Sequence, residues 1–396
     1  IKLNKNYTDA YLNRGISLNK LKRYDEAISD LKLVLKIEPL NAKAFNSLGN
    51  VFKSAKLYDK AVESYERAIS IQPNYLEAIS NKSSIYLEQK KYEESLICLN
   101  KIYQKDPSFK GTIENIIFNK MHIFEWSDLN KYKQEIKKQF FNNENIFDPL
   151  FIHYLFDEPK MHRINAEKFS QEKFKYLKKQ KPKKIKSKNK KIKIGYFSAD
   201  FRKHAVGNLV VNLFELHDKS KFEIYCFYFG PDTNDEIYKR ISNTVYKFIN
   251  VRSKSEKEIA QLSRDLKIDI SIDLMGYTIK NRSKIFIEKC APLQVSYLGY
   301  PGTTGANYID YIIADKIVIP KENQEFYSEK IIYLPNSFML NDSTKKISRK
   351  IFSKEELGLP INGFIFCCFN QSYKILPETF DIWMKILKRV EDSVLW

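Results

Sequence analysis

No stretch of about 18 apolar residues occurs in the 396-residue chain, so no helix is expected to span a membrane. The charged start Ile1-Lys2-Leu3-Asn4-Lys5 has no initiator Met and no signal-peptide pattern, and it leads straight into a helical period. Cysteine is scarce. Cys98, Cys226, Cys290, Cys367 and Cys368 are odd in number, lack metal-ligand spacing and lie mostly in apolar stretches. A reduced, cytoplasmic setting without a bound metal is the expectation. Arginine is the third shortage: 11 of the 67 basic residues are Arg. The net charge of +19 by itself would suit nucleic acid or an anionic surface. Planar guanidinium forks that suit phosphates are few. The Lys, Ile and Asn excess reads instead as the composition of an AT-rich genome, and no nucleic-acid partner is expected. What the chain does have is 43% hydrophobic and 14% aromatic residues, enough for two or three cored domains.

Self-similarity is the first positive signal. Pro39, Pro73 and Pro107 are 34 residues apart. Tyr24, Tyr58 and Tyr92 keep that step, as do Ala27, Ala61 and Ser95, and Gly15, Gly49 and Ser83. Each period reads as two helices. The first carries large-small-large positions (Tyr11-Gly15-Leu18, Phe45-Gly49-Phe52, Ile79-Ser83-Tyr86), the small one where it must approach the second helix. The second carries Ala27-Leu31-Val34, Ala61-Tyr65-Ala68 and Ser95-Leu99-Ile102, and proline ends it. This resembles the tetratricopeptide repeat at its defining positions. Such repeats stack around a concave groove suited to extended peptides. Asn13, Ser47 and Asn81 share one repeat position there, as solvated residues or as a partial ladder for an acceptor backbone.

Residues 108–180 read as a helical connecting region, with Ile113, Ile116, Ile117, Met121, Phe124, Trp126, Tyr132 and Ile136 at helical spacing. Ten lysines and no acid lie between Lys178 and Lys193, so 181–191 is expected to be a solvated linker. From Ile192 the period changes. Apolar runs at 192–197, 221–228, 245–249, 268–274, 294–298, 311–314 and 331–334 alternate with helix-like stretches at 205–217, 235–242 and 254–266. That predicts a doubly wound, largely parallel sheet, with its site just beyond the strands' carboxyl ends.

Four such places carry chemistry. Gly195-Tyr-Phe-Ser198-Ala-Asp200-Phe201-Arg-Lys-His204 puts an acid and a histidine before a helix N-terminus, which favours negative charge. Asp273-Leu-Met-Gly276-Tyr277-Thr278 follows a later strand. Leu298-Gly299-Tyr300-Pro301-Gly302-Thr303-Thr304-Gly305-Ala306 offers close backbone approach and N–H donors. Phe364 to Phe369 runs into Asn370-Gln371-Ser372-Tyr373-Lys374-Ile375, whose lysine suits charge developing on a leaving group. Taken singly, each is equally a structural loop.

Taken in order after the repeats, the four places resemble the catalytic region of protein O-GlcNAc transferases, glycosyltransferase family 41 with its Spindly relatives. The resemblance rests on these runs with the APxQ at 291–294, the DYIIAD at 310–315 and the YSEKIIYLPNSF at 327–338. It implies a GT-B fold: a first Rossmann-like lobe at 192–360 after the repeats of 1–107, and a second, nucleotide-binding lobe of which 361–396 is only the beginning. It implies an inverting, metal-independent transfer of GlcNAc from UDP-GlcNAc to Ser or Thr hydroxyls of proteins bound in the repeat groove. Position by position, it implies an active-site histidine and aspartate at His204 and Asp200. It also implies donor-sugar contacts at Leu298, Gly299, Pro301 and Tyr373, a nucleotide contact at Gln371, and a diphosphate contact at Lys374. The sugar nucleotide is a substrate, and no cofactor is implied.

There are departures. His204-Ala205-Val206 stands where animal members have His-Pro-Thr, and Lys289-Cys290-Ala291-Pro292 where they have Arg-Pro-Ala-Pro. Their second histidine aligns loosely with Leu150, three residues before His153, and no role is assigned there. The chain is expected to be truncated at both ends and to have little transferase activity by itself. A Spindly-type O-fucosyltransferase using GDP-fucose and a non-catalytic repeat adaptor are the alternatives. Self-association through the repeats, and a nuclear location in a eukaryote, are compatible with the chain.

Overall fold

The computed structural model describes residues 7–142, 145–175 and 190–396. Of the Lys-rich linker expected at 181–191, residues 181–189 lie outside the described residues. Contacts divide the chain into two units, Ile1–Asn145 with Phe352–Trp396, and Ile146–Ile351.

In the first unit, six helices form three hairpins: α1 (Thr8–Lys20), α2 (Tyr24–Ile37), α3 (Ala42–Ser54), α4 (Tyr58–Ile71), α5 (Leu76–Glu88) and α6 (Tyr92–Lys105). The small positions act as the period predicts. A Cβ on Gly49 would stand 2.5 Å from Cε1 of the fully buried Tyr65, and one on Gly15 would meet Leu31 at 3.0 Å. Ser83, at the same repeat position, faces Ser95 hydroxyl to hydroxyl at 3.1 Å. Each hairpin turns through a lysine in the left-handed region: Lys22 (φ 61°), Lys56 (φ 62°) and Lys90 (φ 59°). The next amide then reaches back to the first helix, at 2.9 Å for Arg23 N to Leu18 O and 2.8 Å for Leu57 N to Phe52 O. This is the Schellman closure, made without its usual glycine.

Helices α7 (Thr112–His122) and α8 (Leu129–Phe141) continue the unit, with Ile113, Ile116, Ile117, Met121 and Ile136 buried as their spacing predicts.

The second unit begins with α9 (Pro149–Leu155) and α10 (Pro159–Phe174) and continues through β1 (Ile192–Ser198), α11 (Ala205–Leu216), β2 (Phe222–Tyr228), α12 (Glu236–Thr244) and β3 (Lys247–Asn250). Then come α13 (Glu256–Asp265), β4 (Ile270–Asp273), α14 (Lys284–Ile287), β5 (Leu293–Ser296), β6 (Tyr311–Ala314) and β7 (Lys330–Tyr333). The seven strands form one sheet in the order β3-β2-β1-β4-β5-β6-β7, and every pairing is parallel. Both faces are covered, which is why the strands read as continuous apolar runs. Phe197, Phe227, Ile259, Ala260, Ile285 and Phe286 share one core layer. Tyr196, Cys226, Ile272, Val210, Val211 and Phe214 share the other. The doubly wound expectation is met. The strand order reverses direction at β1, so the crevice beyond β1 and β4 is the switch point where such sheets bind ligands.

The end of the chain returns to the first unit as β8 (Ile365–Phe366), α15 (Pro377–Arg389) and β9 (Val394–Leu395), a small parallel βαβ pair. Among the described residues no helix is long and apolar enough to cross a membrane.

Candidate functional site

Three loops leave the carboxyl ends of β1, β4 and β5, which are neighbours in the sheet. The first is a tight hook. Ser198 Oγ accepts from the Asp200 amide at 2.9 Å, and Arg202 N donates to Asp200 O at 2.8 Å. A Cβ on Gly207 would run into the backbone of Asp200 and Arg202, so only glycine lets α11 start this close to the hook. The Lys203 amide is tied to Asp235 Oδ2 at 3.0 Å, and Asp235 also caps α12.

The hook brings Asp200 and His204 together. Asp200 is 8% exposed; its Oδ1 accepts from Arg202 Nη2 at 3.1 Å and its Oδ2 lies 3.5 Å from His204 Nδ1. His204 is the N-cap of α11, its Nδ1 3.4 Å from the Val206 amide. One nitrogen thus faces both a carboxylate and an N–H donor, and the tautomer decides which it serves. With Nδ1 unprotonated, it accepts from Val206. With Nδ1 protonated, it donates toward Asp200.

The second loop turns on Asp273. Its Oδ1 accepts from the Met275 amide at 2.9 Å. Burial nevertheless pushes the carboxyl up to about 6, against the lowering effect of the Met275 and Gly276 amides. Tyr277 donates to Thr304 O at 2.7 Å and so joins the second loop to the third.

The third loop contains three of the expected donor-sugar residues. Leu298 takes φ 66°, a left-handed conformation that costs a non-glycine residue about 1 kcal/mol or more. A Cβ on Gly299 would collide with Leu274 O, and one on Gly302 with the ring of His153. Pro301 is exposed, whereas Thr303 and Thr304 are buried. Both threonines turn inward to Glu329, which is 4% exposed. That carboxylate accepts from the Thr304 amide at 2.7 Å, from Thr303 Oγ1 at 2.6 Å, and from Thr304 Oγ1. No role for Glu329 was apparent in the sequence. The available signal was a pair of adjacent threonines in a glycine loop with no acceptor nearby.

His153, to which the sequence pattern assigns no role, packs under this loop. Its ring lies 4.0 Å from that of His162 and 5.6 Å from that of Tyr300, centroid to centroid. Burial, then the neighbouring His162, drives its imidazole down to about 3, so it is neutral. Leu150 packs against the sheet core. Gln294 of the APxQ run is structural: it is fully buried and binds the Cys290 amide, Phe286 O and Tyr308 O.

Gln371, Tyr373 and Lys374 belong to the first unit. Ser372–Lys374 form one 3-10 turn between β8 and α15. Gln371 and Lys374 are exposed, and the Lys374 ammonium lies 6.0 Å from the centroid of the Tyr373 ring. The Tyr373 ring is half-buried against Phe118 and His122, at 5.2 and 5.1 Å.

In the repeats, Asn13 is exposed, Ser47 is buried, and Asn81 donates to Asn46 Oδ1 at 3.0 Å. A groove of ≈ 520 Å³ opens beside them, lined by Ile16, Asn19, Lys20, Asn50, Lys53, Ser54 and Glu88. Asn19 Oδ1 is buried without a hydrogen-bond partner.

The fold and its loops define a doubly wound, parallel α/β protein that also carries helical repeats. The sequence pattern of glycosyl transferase family 41 matches residues 162–353 and 344–396, and the chain belongs to that family. Tetratricopeptide-repeat patterns match 8–39, 42–75 and 76–109. Among similar proteins is a probable UDP-N-acetylglucosamine–peptide N-acetylglucosaminyltransferase SEC of Arabidopsis thaliana. It is 40% identical over 212 residues, covering 52% of this chain and 22% of its own length. Another, the probable UDP-N-acetylglucosamine–peptide N-acetylglucosaminyltransferase SPINDLY of Oryza sativa subsp. japonica, is 32% identical over 207 residues, covering 51% and 22%. The chain thus matches about a fifth of these relatives' length. A solved structure of a Thermobaculum terrenum O-GlcNAc transferase mutant superposes with a TM-score of 0.62 at 21% identity. That match covers 98% of this chain and 68% of the other, and it is a likeness of fold.

Proposed function

We propose that this chain acts in transfer of N-acetylglucosamine from UDP-GlcNAc to Ser or Thr hydroxyls of proteins. The observation that carries the reading is the Asp200–His204 pair, hooked at the switch point of the sheet beside the strained Leu298–Gly305 loop. The donor named for the relatives supports UDP-GlcNAc.

In this reading the acceptor oxygen attacks the anomeric carbon while the bond to UDP breaks, so the centre inverts. The hydroxyl proton passes to Asp200, to His204 through a water, or to the donor phosphate. Leu298, Gly299, Pro301 and Tyr373 contact the sugar, Gln371 the nucleotide, and the Lys374 ammonium the leaving diphosphate, with no metal called upon. The acceptor lies along the groove on α1, α3 and α5, whose walls carry the polar side chains of Asn50, Lys53 and Ser54. The five free cysteines fit a reducing, cytoplasmic location.

The test is to incubate the intact protein and its Lys374→Ala variant with labelled UDP-GlcNAc and, separately, labelled GDP-fucose. Label on protein from the first donor, lost in the variant, is expected. Transfer from GDP-fucose alone would favour the fucosyl reading. Undiminished transfer by the variant would remove Lys374 from the mechanism.

A further inference from the structure

The repeat register continues past the third hairpin. His122 stands one repeat length after Glu88, as Glu88 does after Ser54. In the second repeat, Tyr58 donates to Glu88 at 2.9 Å, the first residue of a B helix touching the last residue of the next A helix. In the third repeat, Tyr92 and His122 make the same connection, now as stacked rings 4.5 Å apart and 8° from parallel. Helix α7 is therefore a fourth A helix by register as well as by its buried Ile113, with the larger Ile117 standing where the earlier A helices carry Gly15, Gly49 and Ser83.

What sits on the far end of this A helix is a turn from 250 residues later. His122 is flanked by Phe118 at 4.5 Å, edge to face, and by Tyr373 at 5.1 Å. The Ser372 hydroxyl lies 3.3 Å from His122 Nδ1 and 3.4 Å from His122 O. The same segment has further ties to the neighbouring helices: Phe380 lies 5.4 Å from Trp126, and Glu378 lies 4.0 Å from Lys133. The strand feeding the turn is only two residues long, and α15 buries none of its residues. The turn therefore depends heavily on α7 for its position.

We propose that His122 is a positioning residue: with Tyr92 and Phe118 it fixes the Gln371–Lys374 turn to the end of the repeat stack and so sets where Tyr373 and Lys374 are presented. For catalysis, this rests on the assignment of that turn to the donor; the structural claim does not. The last repeat then helps support the donor-binding turn, and a disturbance at the α6–α7 contact is felt at Lys374.

The experiment is amide hydrogen exchange on the intact protein over the peptide covering 370–376, with wild type, His122→Ala, His122→Phe and Tyr58→Phe. One lost ring contact corresponds to about three- to tenfold faster exchange in the alanine variant. His122→Phe keeps the ring and should remain within about twofold of wild type. Tyr58→Phe breaks the equivalent contact one repeat earlier and should leave this peptide unchanged. Equal protection in wild type and His122→Ala, or the same loss in Tyr58→Phe, overturns the proposal. A sugar-transfer assay on the same proteins reads the other claim separately. There, a several-fold rise in KM for UDP-GlcNAc with little change in kcat is expected of His122→Ala. Absence of transfer by the full-length wild type would count against the transferase reading and leave the exchange result standing.

Discussion

Removing the Glu329 carboxylate should undo the glycine loop from a distance. Glu329 is almost fully buried and accepts from the Thr304 amide and from both threonine hydroxyls. In Glu329→Ala the hydroxyls can rotate toward other acceptors, but the Thr304 N–H cannot. A buried amide left unpaired costs about 1–3 kcal/mol, and the loss of charge-assisted bonds adds about as much. The expected destabilisation of the loop is about 3 kcal/mol, which corresponds to roughly a hundredfold faster exchange at the Thr304 amide. Glu329→Gln keeps one acceptor oxygen for that amide, so it should cost about 1 kcal/mol. The assay is amide exchange at Thr304 alongside urea unfolding of the intact protein. If Glu329→Ala leaves the Thr304 amide as protected as in wild type, and unfolding within about 0.5 kcal/mol, Glu329 does not hold the loop.

Other perturbations test the rest of the fold. Lys56→Gly places the residue that the left-handed turn prefers, and should stabilise the second repeat by about 0.5–1 kcal/mol in thermal or urea unfolding. Gly49→Ala pushes a methyl into Tyr65 and should cost about 1–3 kcal/mol in the same assay. Asp273 gives a pH signature. Its carboxyl is raised to about 6 in the folded protein, so between about pH 4 and 6 the folded state binds more protons than the unfolded one. Stability from this group therefore falls as pH rises through that window, and the penalty is complete above it. Stability of wild type relative to Asp273→Asn should drop by about 2–3 kcal/mol from pH 4 to pH 7 in urea titrations, and a flat difference would contradict the burial argument.

The repeats and the sheet were legible because their signals are local and periodic. A 34-residue step at Gly15, Gly49 and Ser83 states where helices must touch, and apolar runs such as Ile192–Phe197 and Lys221–Tyr228 state buried strands. The Asp200–His204 pair was legible too, because four residues across a strand–helix hook bring an acid and a histidine together whatever surrounds them. Glu329 and His153 were not. Their importance comes from which loop they lie beneath, and Glu329 stands 25 residues from Thr304 in the chain.

The sequence by itself determined the period, the order of strands and helices, and the family to which the chain belongs. Those properties reside in spacing and in short motifs, which backbone geometry reads directly. Only the tertiary structure decided that two threonines hang on one buried carboxylate, and that the Tyr373–Lys374 turn rests on His122. Each is a contact between segments far apart in the chain. Burial and hydrogen-bond satisfaction select such contacts, and no local pattern records them.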